Sequence, residues 1–334
     1  MSLILLVENL SIGYNTKKGV LKAVDNISFR LEWGRSLGFV GESGCGKTTI
    51  GMTLMGLLPE NGSILSGSIN FQGKELTRMK EDQWRGIRGK DIAMIFQAAM
   101  NALNPVIRVG DQITEAIVTH NPDLLPEQIN DRLKTLFDLV EIPESRISDY
   151  PHEYSGGMKQ RAVIAMALAC TPKLIIADEP TTALDVIVQD QILKEIKKIQ
   201  QAMDMSLIFI SHDIAVVSQV CEDICVMYAG QIVETGTREE VFQSPKHPYT
   251  KTLLASYLSL DSDEDIAIPK LMETPDMINA GSGCRFSGNC HCRSKGCLTD
   301  APDWINVSST HKVFCCEQGV NQSKIKIGSC KDHD

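Results

Sequence analysis

A glycine-rich segment has the residue spacing of a phosphate-binding loop. Gly41–Thr49 reads Gly-Glu-Ser-Gly-Cys-Gly-Lys-Thr-Thr and matches the pattern G-x-x-x-x-G-K-[ST]. In such a loop the backbone N–H groups cradle phosphate oxygens, Lys47 reaches the terminal phosphates, and Thr48 offers a hydroxyl to Mg²⁺. The residues predicted to contact a phosphorylated ligand are Gly41, Ser43, Gly44, Cys45, Gly46, Lys47, Thr48 and Thr49.

Two adjacent carboxylates follow an apolar run at Leu174–Ala177. A strand ending there would direct Asp178 towards the coordination shell of a metal ion, and Glu179 would polarise the water that attacks a terminal phosphate. The same pair would also suit two acids that cap the next turn. Because the phosphate loop lies in the same chain, we predict hydrolysis of a nucleoside triphosphate, with Lys47 and Glu179 catalytic.

Three further polar segments are candidates for the same site. Gln97 and His212 each follow another apolar run, and Ser155-Gly156-Gly157 precedes a helical segment. A serine and glycines at a helix start offer a hydroxyl and open amides to phosphate, although this triplet is common in loops. His212 would also suit a hydrogen-bonded histidine at a strand end.

Four apolar runs must position these groups, and each is continuous rather than alternating. Continuous apolarity is typical of strands buried on both faces, as in parallel α/β sheets, whose ligands bind beyond the carboxyl ends of the strands. The runs are Leu37–Val40, Ile92–Phe96, Leu174–Ala177 and Leu207–Ser211. Helical spacing follows at Lys159–Ala169 and Asp185–Met203, whereas the first 75 residues are mostly alternating and predict β-structure beside the loop.

The length and net charge of the chain exclude some classes of protein. The 334 residues suggest about two domains, and 33 Lys and Arg against 42 Asp and Glu give a net charge of -9, which argues against broad electrostatic capture of nucleic acid. The apolar stretch Ala162–Cys170 is far shorter than the roughly 20 residues of a membrane span, so we expect any membrane role to be peripheral. The first residues lack the features of a secretory signal, which favours a cytosolic location.

The order of these motifs resembles that of the ATP-binding-cassette (ABC) family over about residues 3–250. The resemblance implies an α/β fold: a P-loop ATPase domain with a RecA-like, mostly parallel core, an N-terminal antiparallel β-subdomain and an inserted helical subdomain at about 98–165. It also implies a head-to-tail dimer in which the phosphate loop of one subunit and Ser155 and Gly157 of the other enclose ATP. Tyr154 and Met158 depart from the commonest residues of the family's signature.

The resemblance assigns roles to four more side chains. Tyr14 would stack on adenine, although it also suits a half-buried strand aromatic. Gln97 would contact Mg²⁺, together with Thr48 and Asp178, and would sense the membrane partner. His212 would hold the γ-phosphate, and Asp185 would contact the opposite subunit.

Three segments narrow the resemblance to the ATPase subunits of dipeptide and oligopeptide importers: Asn101–Pro105, Ala177–Val186 and His247–Thr250. This subfamily usually carries Asp-Pro after the glutamine, where this chain has Ala98-Ala99. The resemblance implies two membrane permease subunits, a second ABC ATPase in a heterodimer or homodimer, and an extracytoplasmic substrate-binding protein that acts indirectly. It places the chain peripherally, on the cytoplasmic face of the cell membrane.

Cysteines are concentrated near the carboxyl end. Seven of the 11 lie at Cys284, Cys290, Cys292, Cys297, Cys315, Cys316 and Cys330. Together with the short acidic run Asp261–Asp265, they predict an ABC domain at 1–243 and a small cysteine-rich domain, a peptide-importer extension, at 244–334. In a reducing cytosol such a cluster suggests a metal centre before it suggests disulfides.

The spacing C-x₅-C-x₆-C-x₁₇-C lacks the paired knuckles of common zinc sites. Its resemblance to the extension of peptide importers implies a 4Fe-4S cluster on Cys284, Cys290, Cys297 and Cys315, with a structural role preferred over electron transfer. Zinc and unligated thiols remain alternatives, and Cys292 or Cys316 would be able to replace a neighbouring ligand.

The sequence also allows other functions. A soluble ABC ATPase acting on nucleic acid or the ribosome is one alternative, but the chain has one cassette, no sustained heptads and no basic stripe. The ATPase of a nickel importer is another. A non-hydrolysing regulatory cassette is opposed by Glu179 and His212.

Overall fold

The computed structural model describes residues 2–97, 102–182, 184–261, 275–278 and 281–316, with only the helical backbone described at 257–261. Several residues used above lie outside these ranges: Ala98, Ala99, Asn101, Ala183, Cys330 and the acidic run after Asp261. No helix within the described ranges is long and apolar enough to cross a membrane.

An antiparallel sheet forms most of the first 75 residues, as the alternating pattern predicts. Its strands are β1 (Leu3–Thr16), β2 (Gly19–Glu32), β4 (Gly62–Phe71) and β5 (Lys74–Glu75), in the order β2-β1-β4-β5. The pairing of β1 with β4 shifts register between Glu8 and Ser11. Opposite this bulge, Gly67 has φ +96°, and a Cβ there would lie 2.6 Å from Asn9 O, so the close approach requires glycine.

A second, larger sheet carries the candidate chemistry. Among the described residues its order is β11-β12-β10-β9-β3-β8-β7-β6, and β9, β3, β8, β7 and β6 run parallel. The strands are β3 (Ser36–Val40), β6 (Ile92–Ile95), β7 (Leu174–Asp178), β8 (Ser206–Ser211), β9 (Asp223–Tyr228), β10 (Gln231–Thr237), β11 (Asp303–Asn306) and β12 (Lys312–Cys315). All residues of β3, β6, β7 and β8 are buried, which confirms the prediction made from the four apolar runs.

Successive side chains of these strands enter two different cores. Leu207 and Phe209 of β8 pack into the core on one face of the sheet, whereas Ile208 and Ile210 pack into the core on the other face. This alternation follows from the pleat of a strand, which turns neighbouring side chains to opposite faces. Both faces are covered, so the strands need no polar positions except at their ends.

Helices cover the sheet and form the insertion between β6 and β7. They are α1 (Lys47–Leu54), α2 (Glu81–Arg85), α3 (Val109–His120), α4 (Pro126–Leu139), α5 (Gly156–Ala167), α6 (Val186–Ala202), α7 (Ile214–Val220), α8 (Arg238–Gln243), α9 (Pro248–Asp261) and α10 (Gly296–Thr299), with short 3₁₀ helices at Glu144–Arg146 and Pro151–Glu153. Buried residues of α3, α4 and α5, such as Ile113, Phe137 and Ile164, share one core. These three helices form the inserted helical subdomain.

Part of the predicted carboxyl-terminal extension joins the main sheet. Strand β12 pairs antiparallel with β10, placing Val313 opposite Glu234, and β11 pairs with β12. The extension also contributes the buried Phe286 to the core that covers one face of the sheet. A separate cysteine-rich domain is therefore not what the structure shows for residues 281–316.

Candidate nucleotide site

The phosphate loop connects β3 to α1, as the sequence predicts. Gly46 precedes α1 with φ +104°, and a Cβ there would lie 2.4 Å from Ala23 O, so this turn requires glycine. No side chain caps the first turn of α1, which leaves its backbone N–H groups open. Open amides at a helix start, together with the helix dipole, favour a bound phosphate.

Lys47 places a positive charge inside this loop. The residue is 5% exposed, and its Nζ donates to Gly41 O at 2.7 Å and to Glu42 O at 2.9 Å. These bonds hold the ammonium group against the loop backbone. The loop thus combines a fixed cation with free amides, a suitable combination for binding the oxygens of a polyphosphate.

Thr48 and Asp178 form the candidate magnesium site. Thr48 Oγ1 donates to Asp178 Oδ1 at 3.2 Å, which joins the start of α1 to the end of β7. Burial raises the pKa of Asp178, although Thr48 and Lys47 oppose this effect. A hydroxyl beside a poorly hydrated carboxylate suits Mg²⁺, because oxygen is its preferred ligand and a cation would stabilise the buried charge.

Glu179 is the most strongly held acid of the site. Its side chain accepts hydrogen bonds from Thr182 Oγ1 at 2.9 Å and Gln97 Nε2 at 3.2 Å, and its Oε1 lies 3.0 Å from His212 Nδ1. Burial would raise the pKa of Glu179, but its bonds with His212 and Thr182 outweigh this and lower it. The carboxylate is therefore in the form that can accept a proton at neutral pH.

These contacts bring together side chains that are distant in sequence. Gln97 follows β6, Glu179 follows β7 and His212 follows β8, so neighbouring parallel strands deliver all three to one edge of the sheet. The sequence predicted this group but not Thr182. The sequence feature that could have identified Thr182 is its position three residues after Glu179. A tight turn there places the Thr182 hydroxyl next to the Glu179 carboxylate.

Tyr14, a residue of β1, lies beside the phosphate loop. Its hydroxyl is 3.1 Å from Thr49 Oγ1, and it is half-buried. A Cβ at Gly62 would lie 2.9 Å from the Tyr14 ring, so β4 passes close to that ring. The position is next to the phosphate loop, and stacking of Tyr14 on adenine stays a prediction.

Ser155, Gly157 and Asp185 lie on a different surface, where Ser155 and Asp185 are exposed and Gly157 is half-buried. Ser155 Oγ accepts from Met158 N at the start of α5, and Asp185 Oδ1 accepts from Val188 N at the start of α6. A Cβ at Gly157 would lie 3.0 Å from Val188 Cγ1, so the two helix starts are neighbours. Both caps are exposed, so the Ser155 and Asp185 side chains are accessible to another molecule.

Four of the described cysteines, Cys284, Cys290, Cys297 and Cys315, are neighbours in space. Cys315 interacts electrostatically with Cys284 and Cys290, and burial together with these neighbours raises its pKa to about 12. Burial also raises the pKa of Cys290 to about 11. For Cys297, hydrogen bonds from Ser294 outweigh burial and lower the pKa of the thiol.

These thiols lie in one region without converging on a metal position. Across the part of the chain that the structure describes, no group of three or more His, Cys, Asp or Glu side chains is arranged to hold a metal ion. The iron–sulfur prediction for Cys284, Cys290, Cys297 and Cys315 is therefore not confirmed by this geometry.

Comparisons with known sequences agree with this arrangement. A family model described as ABC transporter matches residues 24–182, and one described as oligopeptide/dipeptide transporter, C-terminal region, matches residues 233–297. The dipeptide transport ATP-binding protein DppD of Bacillus subtilis is 43% identical over 336 residues, covering 99% of this chain and all of that protein. The oligopeptide transport ATP-binding protein OppD of the same organism is 45% identical over 314 residues, covering 93% of this chain and 87% of that protein.

Solved structures share the fold. The chain matches cbiO1 from Clostridium perfringens, part of the ABC transporter complex cbiONQ, with a TM-score of 0.64 and 27% identity over 78% of this chain and 96% of that one. The dimeric ATP-binding cassette MJ0796 bound to ADP and Pi matches with a TM-score of 0.63 and 24% identity over 70% of this chain and 99% of that one. At that identity, the second likeness concerns the fold alone.

Proposed function

The chain belongs to the ABC transporter family, among the dipeptide and oligopeptide transport ATP-binding proteins, and we propose that it binds and hydrolyses ATP to power the import of dipeptides or oligopeptides. The observation that carries the proposal is the placement of Glu179. Its carboxylate lies at the same edge of the sheet as the phosphate loop, and its hydrogen bonds with His212 and Thr182 favour its charged form.

Each residue of the site has a definite task in this hydrolysis. Lys47 and the amides at the start of α1 bind the phosphate oxygens, and Thr48 and Asp178 would hold Mg²⁺, which supplies charge neutralisation when bound. Glu179 accepts the proton of the attacking water, and its hydrogen bonds with His212 and Thr182 favour the charged form that accepts this proton. Gln97 donates to Glu179 and would also contact Mg²⁺, together with Thr48 and Asp178.

A partner ATPase completes the site in this proposal. Ser155, Gly157 and Asp185 lie at two neighbouring helix starts, and the exposed Ser155 and Asp185 are accessible there to a second nucleotide-binding chain. The second chain is an identical copy or a related ATPase. Two membrane permease subunits contact the chain near Gln97, an extracytoplasmic binding protein delivers peptide to them, and the chain works at the cytoplasmic face of the membrane.

Replacement of Glu179 tests the hydrolytic role. In Glu179→Gln the side chain keeps its size but no longer accepts a proton, so we expect ATP hydrolysis to fall by about 100-fold or more while ATP binding persists. Steady-state phosphate release and equilibrium ATP binding measure the two effects. Glu239→Gln, which changes an exposed acid of α8, is the matched control and retains wild-type turnover. Wild-type hydrolysis by Glu179→Gln would contradict the assignment.

The cysteine cluster is proposed as a 4Fe-4S site with a structural role. The sequence spacing of Cys284, Cys290, Cys297 and Cys315 supports this proposal, and a cluster bound by these four thiols would connect β12 to the preceding loop. Anaerobically purified protein is expected to contain iron and sulfide, and Cys290→Ser is expected to lose them. Cys170→Ser, outside the cluster, retains them. Zinc, or no metal at all, in anaerobically purified wild-type protein would contradict the proposal.

A further inference from the structure

The segment His247–Thr250 contacts the phosphate loop from outside the catalytic group. The hydroxyl of Tyr249 accepts a hydrogen bond from Glu42 N at 2.9 Å. Glu42 is the second residue of the phosphate loop, and its carbonyl oxygen accepts from Lys47 Nζ. A residue more than 200 positions away in the sequence therefore bonds directly to the backbone that positions the catalytic lysine.

Backbone bonds to a buried acid fix the start of this segment. The carboxyl group of Glu234 accepts from Lys246 N and His247 N, both at 2.8 Å, and His247 Nδ1 accepts from Tyr249 N at 3.1 Å. Glu234, His247 and Tyr249 are each at most 1% exposed. Tyr249, the second residue of α9, therefore has little freedom to move.

The Tyr249 ring is held by aromatic side chains on its other sides. Its centroid lies 4.8 Å from that of Tyr228 and 5.6 Å from that of Phe286, and Tyr228 and Phe286 are 5.1 Å apart in an edge-to-face arrangement. Phe286 lies between Cys284 and Cys290 in sequence. The cysteine-bearing loop thus packs directly against the tyrosine that contacts the phosphate loop.

We propose that Tyr249 is a positioning residue for ATP, which holds the phosphate loop through the Glu42 N–H and connects its geometry to the carboxyl-terminal extension. The Tyr249 hydroxyl holds Glu42, whose carbonyl oxygen accepts a hydrogen bond from Lys47 Nζ. The phosphate loop is therefore ordered before ATP binds. Loss of the hydroxyl leaves the Glu42 N–H without this acceptor and allows the loop to move. This inference rests on the proposed function, because it concerns the same nucleotide site.

Two matched tyrosine substitutions test the role. Tyr249→Phe removes only the hydroxyl that contacts the loop, and Tyr228→Phe removes the hydroxyl of its ring neighbour, which bonds with Asn289 at 3.1 Å instead. For Tyr249→Phe in the full-length chain, we expect the Kd for Mg²⁺-ATP to rise about threefold to tenfold, the range that loss of one hydrogen bond produces. For Tyr228→Phe we expect a change of less than about twofold.

Steady-state kinetics separate positioning from a general loss of folded protein. The KM for ATP is expected to rise with the Kd in Tyr249→Phe while kcat stays within about twofold, because the loosened contact affects binding of the nucleotide. A purely structural defect would lower kcat through loss of active protein and leave KM unchanged, and that result would overturn the inference.

The binding experiment also distinguishes the two proposals. Wild-type affinity in Tyr249→Phe, or an equal loss in Tyr228→Phe, would overturn the role of the Tyr249 hydroxyl while the proposed ATPase function stands. Failure of the wild-type chain to bind Mg²⁺-ATP would overturn the proposed function and this inference together.

Discussion

At the scale of single residues, Glu179 combines an uncommon backbone conformation with an unusually complete set of partners. Its φ of +46° lies in the left-handed region, which few non-glycine residues adopt. Its N–H donates to Ile210 O of β8 at 2.9 Å, and three side chains contact its carboxylate. The chain thus holds a strained residue in one orientation, as expected where a proton acceptor must be aimed at a reacting atom.

Thr182 is expected to set the pH at which this acceptor works. Its hydroxyl bond favours the charged form of Glu179 and lowers the pKa of that carboxyl group, so Thr182→Val is expected to raise the pKa. The acid limb of the kcat/KM profile then moves to higher pH, whereas activity near neutral pH changes little because Glu179 stays ionised there. Thr182→Ser keeps the hydroxyl and retains the wild-type profile. An unshifted acid limb in Thr182→Val would contradict this role.

The grouping of the proposed catalytic residues was predictable from the sequence, because their residue types and spacing are typical of phosphate and metal binding. Lys47 follows the glycines of the phosphate loop, and Asp178 and Glu179 follow a continuously apolar strand, so few roles other than phosphate and metal binding suit them. Thr182 and Tyr249 were not predictable in their roles, because a threonine and a tyrosine have many uses. Their contacts depend on a turn and on a pairing of segments about 200 residues apart, which the sequence alone does not express.

At the scale of elements, strands of the core were predictable and strands of the edge were not. β3, β6, β7 and β8 are buried on both faces, so burial alone makes them continuously apolar. β11 and β12 have four residues each and contain exposed positions such as Asp303 and Lys312. β12 forms by pairing with β10, and no local sequence pattern predicts pairing with a strand that is so distant in sequence.

The start of α5 shows how a cap can move an element boundary. The apolar spacing predicts a helix from Lys159, but α5 begins at Gly156, because Ser155 accepts the N–H of Met158 and stabilises an earlier first turn. The two glycines therefore lie inside the first turn of the helix. This places their N–H groups at the exposed helix start, where the proposed partner ATPase would bring its nucleotide.

At the scale of the whole molecule, the extension is attached to the ATPase body at several separated points. Arg285 forms an ion pair with Asp25 of β2 and donates to Ala229 O, and Phe286 enters the core. β12 joins β10, and His311 Nε2 lies 2.7 Å from the buried Glu234 Oε1. The uneven distribution of cysteines predicts a small domain at 244–334, and these contacts show that part of this segment packs on the main sheet.

The contact between His311 and Glu234 is expected to stabilise the assembled molecule. Glu234 is fully buried and also holds the backbone ahead of Tyr249, so His311→Ala would leave one of its oxygens without a side-chain partner. Because Glu234 Oε1 keeps the Lys246 N–H as a donor, the variant loses one hydrogen bond, and we expect the free energy of unfolding in urea to fall by about 0.5–1.5 kcal/mol. His291→Ala changes an exposed histidine of the same extension and is expected to keep wild-type stability. Equal stability of the two variants would mean that the extension contributes little to the body through this contact, and that Glu234 is held by its backbone donors alone.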